Sequence, residues 1–227
     1  MENLLRFENR FEAARTLVAP LAKYLGIKGA KGADRAIAQK VLIVAIPRGG
    51  LQVGGFVAQK LGLGLDVALV KKLGAPESHE LAVGAVGLDG GLVVDKKAAQ
   101  ELGASKAYIE AMQKRLTLDL GERDRFYHAE VPTLAVTDKK IVLVDDGMAT
   151  GYTVRAAAEM LRRQGAREII LAVPVASTSA QKLVRPVVDK IIATKIDTLL
   201  VAVGSHYNNF EQVSDREALK ILQENRA

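Results

Sequence analysis

Two carboxylates stand side by side in the stretch IVLVDDGMATGYTVRAA, where Asp145 and Asp146 end a run of four aliphatic residues. Gly147 and Gly151 follow in a turn of small residues, Thr150 and Thr153 supply hydroxyls, and the pattern after them is helical. A strand–turn–helix passage of this kind presents backbone N–H groups and the positive end of a helix dipole, which together hold a phosphate. Carboxylates beside a naked phosphate would repel it. They suit the vicinal hydroxyls of a sugar, or a hard cation bound next to the phosphate. A ribose 5-phosphate meets all of these demands. Competing readings explain less. The chain has no G-x-x-x-x-G-K-[ST] loop and no G-x-G-x-x-G fingerprint. A receiver-type acidic pair would be expected at the first strand, whereas the first strand here runs into PRGG. An ordinary solvated acidic turn accounts for the two Asp alone, but not for the unit as a whole.

The rest of the sequence reads as a scaffold for such a site. Unalternating aliphatic runs occur at VLIVAI (Val41–Ile46), LDVALV (Leu65–Val70), IVLV, EIILAVPV, VVDKIIAT and TLLVAV, separated by helix-compatible stretches. Strands buried on both faces read this way. The expectation is one doubly wound, mostly parallel α/β domain over 1–227, with ligands bound beyond the strand ends. An N-terminal helix is expected within 1–30, with Leu4, Phe7, Phe11, Ala14, Val18, Leu21 and Leu25 on one apolar face. That face would also suit contact between two copies of the chain. A Gly-rich, partly strand-like segment with a DGG turn spans 72–95, a helical insertion 96–130, and a final segment 200–227.

Composition narrows the function. The 227 residues include no Cys, which excludes disulfides, thiol chemistry and Cys-based metal sites. No apolar run reaches membrane-spanning length, and the N-terminus lacks the features of a signal peptide, so a cytoplasmic location is expected. The net charge of +6 comes from scattered basic residues, and aromatics at 4% are too few for a base-stacking surface. A small polyanionic ligand fits this balance better than nucleic acid does.

VLVDDGMATGYT resembles the 5-phosphoribosyl 1-diphosphate (PRPP) signature of the type I phosphoribosyltransferases. The resemblance implies that Asp145 and Asp146 contact the ribose hydroxyls, and that Gly147, Met148, Ala149, Thr150, Gly151 and Thr153 wrap the 5′-phosphate. IPRGGLQVG is similar to the family's pyrophosphate loop, which often holds a non-proline cis peptide, and places Arg48, Gly49 and Gly50 there. LVKKLG resembles the basic edge that holds the diphosphate, at Lys71 and Lys72. By the same resemblance 72–95 is a flexible lid or hairpin, with Lys72, His79 and Glu80 the residues whose reach to the ligand depends on its closure. VGSHYNNFEQVSD, within 200–227, is the hood that receives the acceptor, with Tyr207 and Phe210 the candidates to sandwich its ring and His206 or Asn208 to bond its edge. The likeness is to the bacterial and archaeal phosphoribosyltransferases carrying PRGG, KLGAP and VDDGxATG motifs, and it covers roughly Phe7 to Asp215.

The resemblance implies transfer of the phosphoribosyl group of PRPP, with loss of pyrophosphate, to a nitrogen acceptor such as a nucleobase. Mg²⁺ near Asp145 and Asp146 would bridge diphosphate and ribose oxygens. Arg48 and Lys71 would stabilise charge on the departing pyrophosphate. Ala149 departs from the hypoxanthine–guanine branch, where the matching residue is an Asp that receives the base's proton. That puts such an activity in doubt unless Glu211 or another hood residue substitutes. A non-catalytic PRPP-binding regulator on the same fold is the alternative, although no helix-turn-helix extension or RNA-facing basic stripe accompanies it.

Overall fold

The computed structural model describes residues 6–28, 32–78 and 81–226. Helix α1 (Arg10–Leu25) and the short α2 (Arg35–Lys40) precede strand β1 (Val41–Ala45), helix α3 (Gly49–Leu61) and β2 (Gly64–Val67). Three strands follow, β3 (Val70–Gly74), β4 (Ala82–Gly87) and β5 (Leu92–Val94), then helices α4 (Lys96–Glu101) and α5 (Lys106–His128). The chain continues through β6 (Lys140–Val144), α6 (Tyr152–Arg163), β7 (Glu168–Ser177), α7 (Thr178–Val184) and β8 (Lys190–Asp197). A 3-10 turn (Val203–His206) and α8 (Asp215–Glu224) complete it.

The central sheet is parallel throughout, in the order β2-β1-β6-β7-β8. Alternation along each strand builds two cores. Leu42, Val44, Ile141, Leu143, Ile169 and Leu171 pack with α6 and α7, while Ile43, Ala45, Val142, Val144, Ile170 and Ala172 pack with α1, α3 and α8. Each fully buried aliphatic side chain contributes about 1.5–3 kcal/mol, so the sheet is a rigid base. From β1 the chain steps outward to β2, then returns to β1's other side at β6. The β1/β6 junction is therefore the switch point, the place beyond the strand ends where open α/β sheets bind their ligands.

Several expectations are corrected. The aliphatic run Leu65–Val70 is not one strand: β2 ends at Val67, and Val70 opens a second, antiparallel sheet in the order β3-β4-β5. Ala68 still donates to the Ala45 carbonyl, but Leu69 already accepts from Leu88, so the chain changes sheets between them. TLLVAV is not a strand either, since Leu199 and Val201 are exposed and only Leu200 is buried. The inward face of α1 is Arg10, Ala13, Ala14, Leu17 and Leu21; Phe11 is exposed, Phe7 precedes the helix, and Leu4 lies outside the described residues. The segment 72–95, expected as a lid or hairpin, holds most of the antiparallel sheet, including the β4–β5 hairpin. Val83 and Val86 join the core that contains Leu116 and Leu120 of α5, and Ala85 clusters with Ala156 of α6. Asp89, Gly90 and Gly91 make the β4–β5 turn, while His79 and Glu80 lie outside the described residues. Among the described residues no helix is long and apolar enough to cross a membrane.

Candidate functional site

Asp145 and Asp146 leave β6 at the switch point, and the loop after β1 lies directly over them. Gly49 and Gly50 make that approach possible. A side chain at Gly49 would run into Asp146 Oδ2, and one at Gly50 would meet the Val144 carbonyl oxygen at 2.9 Å and Asp145 Oδ1 at 3.2 Å. The preceding Pro47–Arg48 peptide is cis. Below the pair, Asp145 Oδ1 accepts the Asp146 N–H at 2.8 Å. Burial pushes the Asp145 carboxyl well above the usual carboxylate range, and the neighbouring Asp146 charge adds to the shift. Burial also raises Asp146, against the opposing pull of Arg10.

Arg10, the first residue of α1, donates from Nε to Asp146 Oδ2 at 2.7 Å and from Nη1 to the Glu211 carbonyl at 2.8 Å. Its guanidinium lies 3.8 Å from the Phe210 ring centroid. Tyr207 donates its hydroxyl to the Asp146 carbonyl at 2.6 Å, and burial followed by the Asp146 charge pushes that phenol up. The sequence reading did not find Arg10. No local signal marks it, because its burial and its anionic partner exist only in the folded chain.

Helix capping marks the two ends of the crevice. Among the described residues six helices have a side-chain cap: Asn9, Asp34, Asp95, Ser105, Ser177 and Ser214 cap α1, α2, α4, α5, α7 and α8. The other two, α3 after Arg48 and α6 after Gly151, have none. α3 starts against the acid pair and α6 starts shortly after it in the chain, so both present first-turn N–H groups without a side-chain cap. Gly151, at φ 86°, turns the loop into α6.

The expected phosphate residues divide. Thr150 and Thr153 stand at this turn, with Thr150 exposed. Met148 anchors the loop: its side chain is buried, its N–H donates to the Val175 carbonyl and its own carbonyl accepts from the Ser177 N–H. Ala149 packs beside the cluster of Phe7, Val175 and Tyr207, and its carbonyl accepts the Ser177 hydroxyl at 2.6 Å. Gly147 is set by packing, because a side chain there would strike Val203.

The basic residues also divide. Lys71 and Lys72 point to opposite faces of β3. Lys71 Nζ bonds Asp119 of α5 at 2.7 Å, whereas the Lys72 charge acts on Asp145, opposing the rise in its pKa. Arg48 reaches away from the acid pair to within 3.8 Å of Asp215, which also holds Arg123 at 2.6 Å. At the hood, Tyr207 and Phe210 do not form an open slot. Their rings pack on each other with centroids 4.9 Å apart, Tyr207 is buried against Phe7, and Arg10 covers Phe210. His206 is buried with Nε2 3.2 Å from Asp197, and Asn208 donates to Glu8 at 2.8 Å.

The family model for the phosphoribosyl transferase domain matches residues 86–208. The chain belongs to this family. Over 216 residues it is 32% identical to a Mycobacterium tuberculosis protein provisionally named as a phosphoribosyl transferase, covering 95% of this chain and 46% of that one. It thus spans about half the length of the curated relatives it matches in this way. The fold is similar to the crystal structure of TT1426 from Thermus thermophilus, with 35% identity, a TM-score of 0.76, and coverage of 98% of this chain and 100% of that one. A stretch of 81 residues is 35% identical to a ribose-phosphate pyrophosphokinase of Thermoplasma acidophilum, covering 36% of this chain and 26% of that protein.

Proposed function

We propose that this chain binds PRPP at the β1/β6 crevice and transfers its phosphoribosyl group to a nitrogen acceptor, a nucleobase or related heterocycle, with release of pyrophosphate. The observation that supports this best is the pair of uncapped helix starts flanking two carboxylates. A ligand with a phosphate at one end, a diphosphate at the other and a diol between them matches that spacing of charge. The α6 turn takes the 5′-phosphate through backbone N–H groups and the Thr150 and Thr153 hydroxyls. Asp145 and Asp146 accept from the ribose hydroxyls. The first turn of α3, at Gly49 and Gly50, takes the diphosphate, with Lys72 on the same side as the acid pair. Arg48 joins it on leaving its present carboxylate partner, while Lys71, on the opposite face of β3, steadies that strand through Asp119.

Mg²⁺ fits this donor set. The acid pair offers hard oxygen ligands, and among the described residues no cluster of three or more His, Cys, Asp or Glu could hold a metal alone. An ion shared with substrate phosphates and water is what magnesium prefers. When bound, it would neutralise charge on the departing pyrophosphate. The chain's own part is positional. Backbone N–H groups fix both phosphates, the carboxylates fix the sugar and favour positive charge developing on its ring, and burial of the acid pair keeps that field strong.

³¹P NMR of PRPP with the protein and Mg²⁺ tests this, with purines, pyrimidines and simple amines added in turn. Free pyrophosphate is expected with one acceptor class and is expected to vanish in the Asp145→Asn/Asp146→Asn double variant. Broadened PRPP lines without turnover across the panel would favour a PRPP-binding regulator, a reading consistent with the closed Tyr207–Phe210 pair and the missing acid at Ala149. Unchanged PRPP lines would reject the site.

A further inference from the structure

Arg10 is in an electrostatically poor place for a cation. It opens a helix, where the dipole is positive, and only 7% of its surface is exposed. A buried guanidinium is tolerated only where its charge and its N–H groups are met. Here Nε meets Asp146, Nη1 meets the Glu211 carbonyl, and the flat face lies on Phe210. The start of α1, the acid pair and the hood are joined through this one side chain. An apolar residue would have served for packing α1 on the sheet, as Ala13, Ala14 and Leu17 do elsewhere on that helix.

We propose that Arg10 is a positioning residue for the acid pair: its guanidinium fork pins Asp146 against the hood in the orientation that receives the ribose. This rests on the crevice being a PRPP site. Asp146 has one carboxylate oxygen engaged by Arg10, and its own carbonyl is held by Tyr207. Its side chain is thereby fixed before any ligand arrives. Among the described residues no guanidinium engages Asp145 in this way, so the two acids are made unequal by a residue far from them in sequence. A lysine at position 10 would supply the charge, but not the planar fork that bonds two acceptors while stacking on a ring.

The test is a double-mutant cycle on PRPP–Mg²⁺ affinity, read by ³¹P NMR titration of the whole chain. Arg10→Gln is expected to weaken binding by about tenfold or more, the scale seen when partners that orient ligand-binding groups are removed. In an Asp146→Ala background the same change is expected to have almost no further effect, within about twofold, because the acceptor is gone. Arg10→Lys should restore less than half of the loss on a logarithmic scale. Additive losses, or complete rescue by lysine, would overturn the positioning role. Should Arg10→Gln fail to fold, ¹⁵N NMR of the arginine Nε–H groups in the unaltered protein gives the answer. The Arg10 signal should be protected from exchange and should shift on addition of PRPP and Mg²⁺, while that of Arg162, paired with Asp189, does not. A fast-exchanging Arg10 signal, or one unmoved by saturating PRPP, would refute the role. If PRPP does not bind at all, the reading of the crevice fails separately. Loss of Arg10 protection in Asp146→Ala would then still establish that Arg10 holds Asp146.

Discussion

Asp145 illustrates the conflict between stability and ligand binding at a single residue. Its pKa is raised in the fold by burial and by Asp146. A carboxyl raised in this way stabilises the fold fully only below its unfolded pKa, and that contribution is lost as pH rises through the folded value. At neutral pH the unliganded protein therefore carries a penalty that an amide would remove. Asp145→Asn is expected to raise Tm at pH 7.5 by roughly 2–4 °C for each ~1 kcal/mol relieved. The gain should shrink as the pH falls towards 4, and scanning calorimetry across that range checks it. No gain at neutral pH would mean that the carboxyl is well solvated. The two Asp were legible in the sequence because they are adjacent and followed by an anion-binding turn. Arg10 was not, because its partners lie 136 and 201 positions away, and nothing local marks it as other than a surface arginine.

The small antiparallel sheet shows what a single element decides. In β3, alternation places Val70 and Lys72 on the side of α6 and the acid pair, and Lys71 with Leu73 on the side of α5. Lys72→Ala is accordingly expected to weaken PRPP binding by about tenfold, since one charge-assisted contact is worth on the order of 1.5 kcal/mol. Lys71→Ala should change binding less. Its half-exposed pair with Asp119 contributes no more than about 1 kcal/mol to stability. Isothermal titration of both variants against PRPP and Mg²⁺ checks the ranking, and an equal or larger effect from Lys71→Ala would reverse it. The sequence could not assign these roles. LDVALVKKLG has no glycine or proline between Asp66 and its lysines, so the point where the chain leaves one sheet for the other has no local signature. The parallel sheet itself was legible, because strands covered on both faces leave unbroken aliphatic runs and the helices between them leave periodic ones.

Across the whole molecule, a second polar cluster ties distant parts together. Buried Asp66 on β2 accepts from the backbone of Val67 and Leu134, at 2.7 and 2.6 Å, and lies 3.0 Å from His128 Nε2 at the end of α5. Asp124 meets the other ring nitrogen at 2.8 Å. The bond to Asp66, helped by Asp124 and opposed by burial, raises the His128 pKa above its ordinary value of 6.5. A raised histidine stabilises the fold fully below its unfolded pKa and stops doing so as pH climbs through the folded one. Tm is therefore expected to decline from pH 6 upward by this route, and His128→Gln should flatten the decline. A variant with the same slope as the unaltered protein would remove the cluster from the account of stability.

The floor of the crevice belongs to the sheet, whereas its closure belongs to the residues around Phe7–Arg10 and Tyr207–Glu211, which bond to one another across the span of the chain. Few apolar side chains anchor these two segments, the small cluster of Phe7, Ala13, Val175, Leu200 and Tyr207 being the main one. Local opening therefore costs less here than in the sheet beneath. The two ends of the chain thus form a seam over the strand that carries Asp146, and the seam's charged stitch is Arg10.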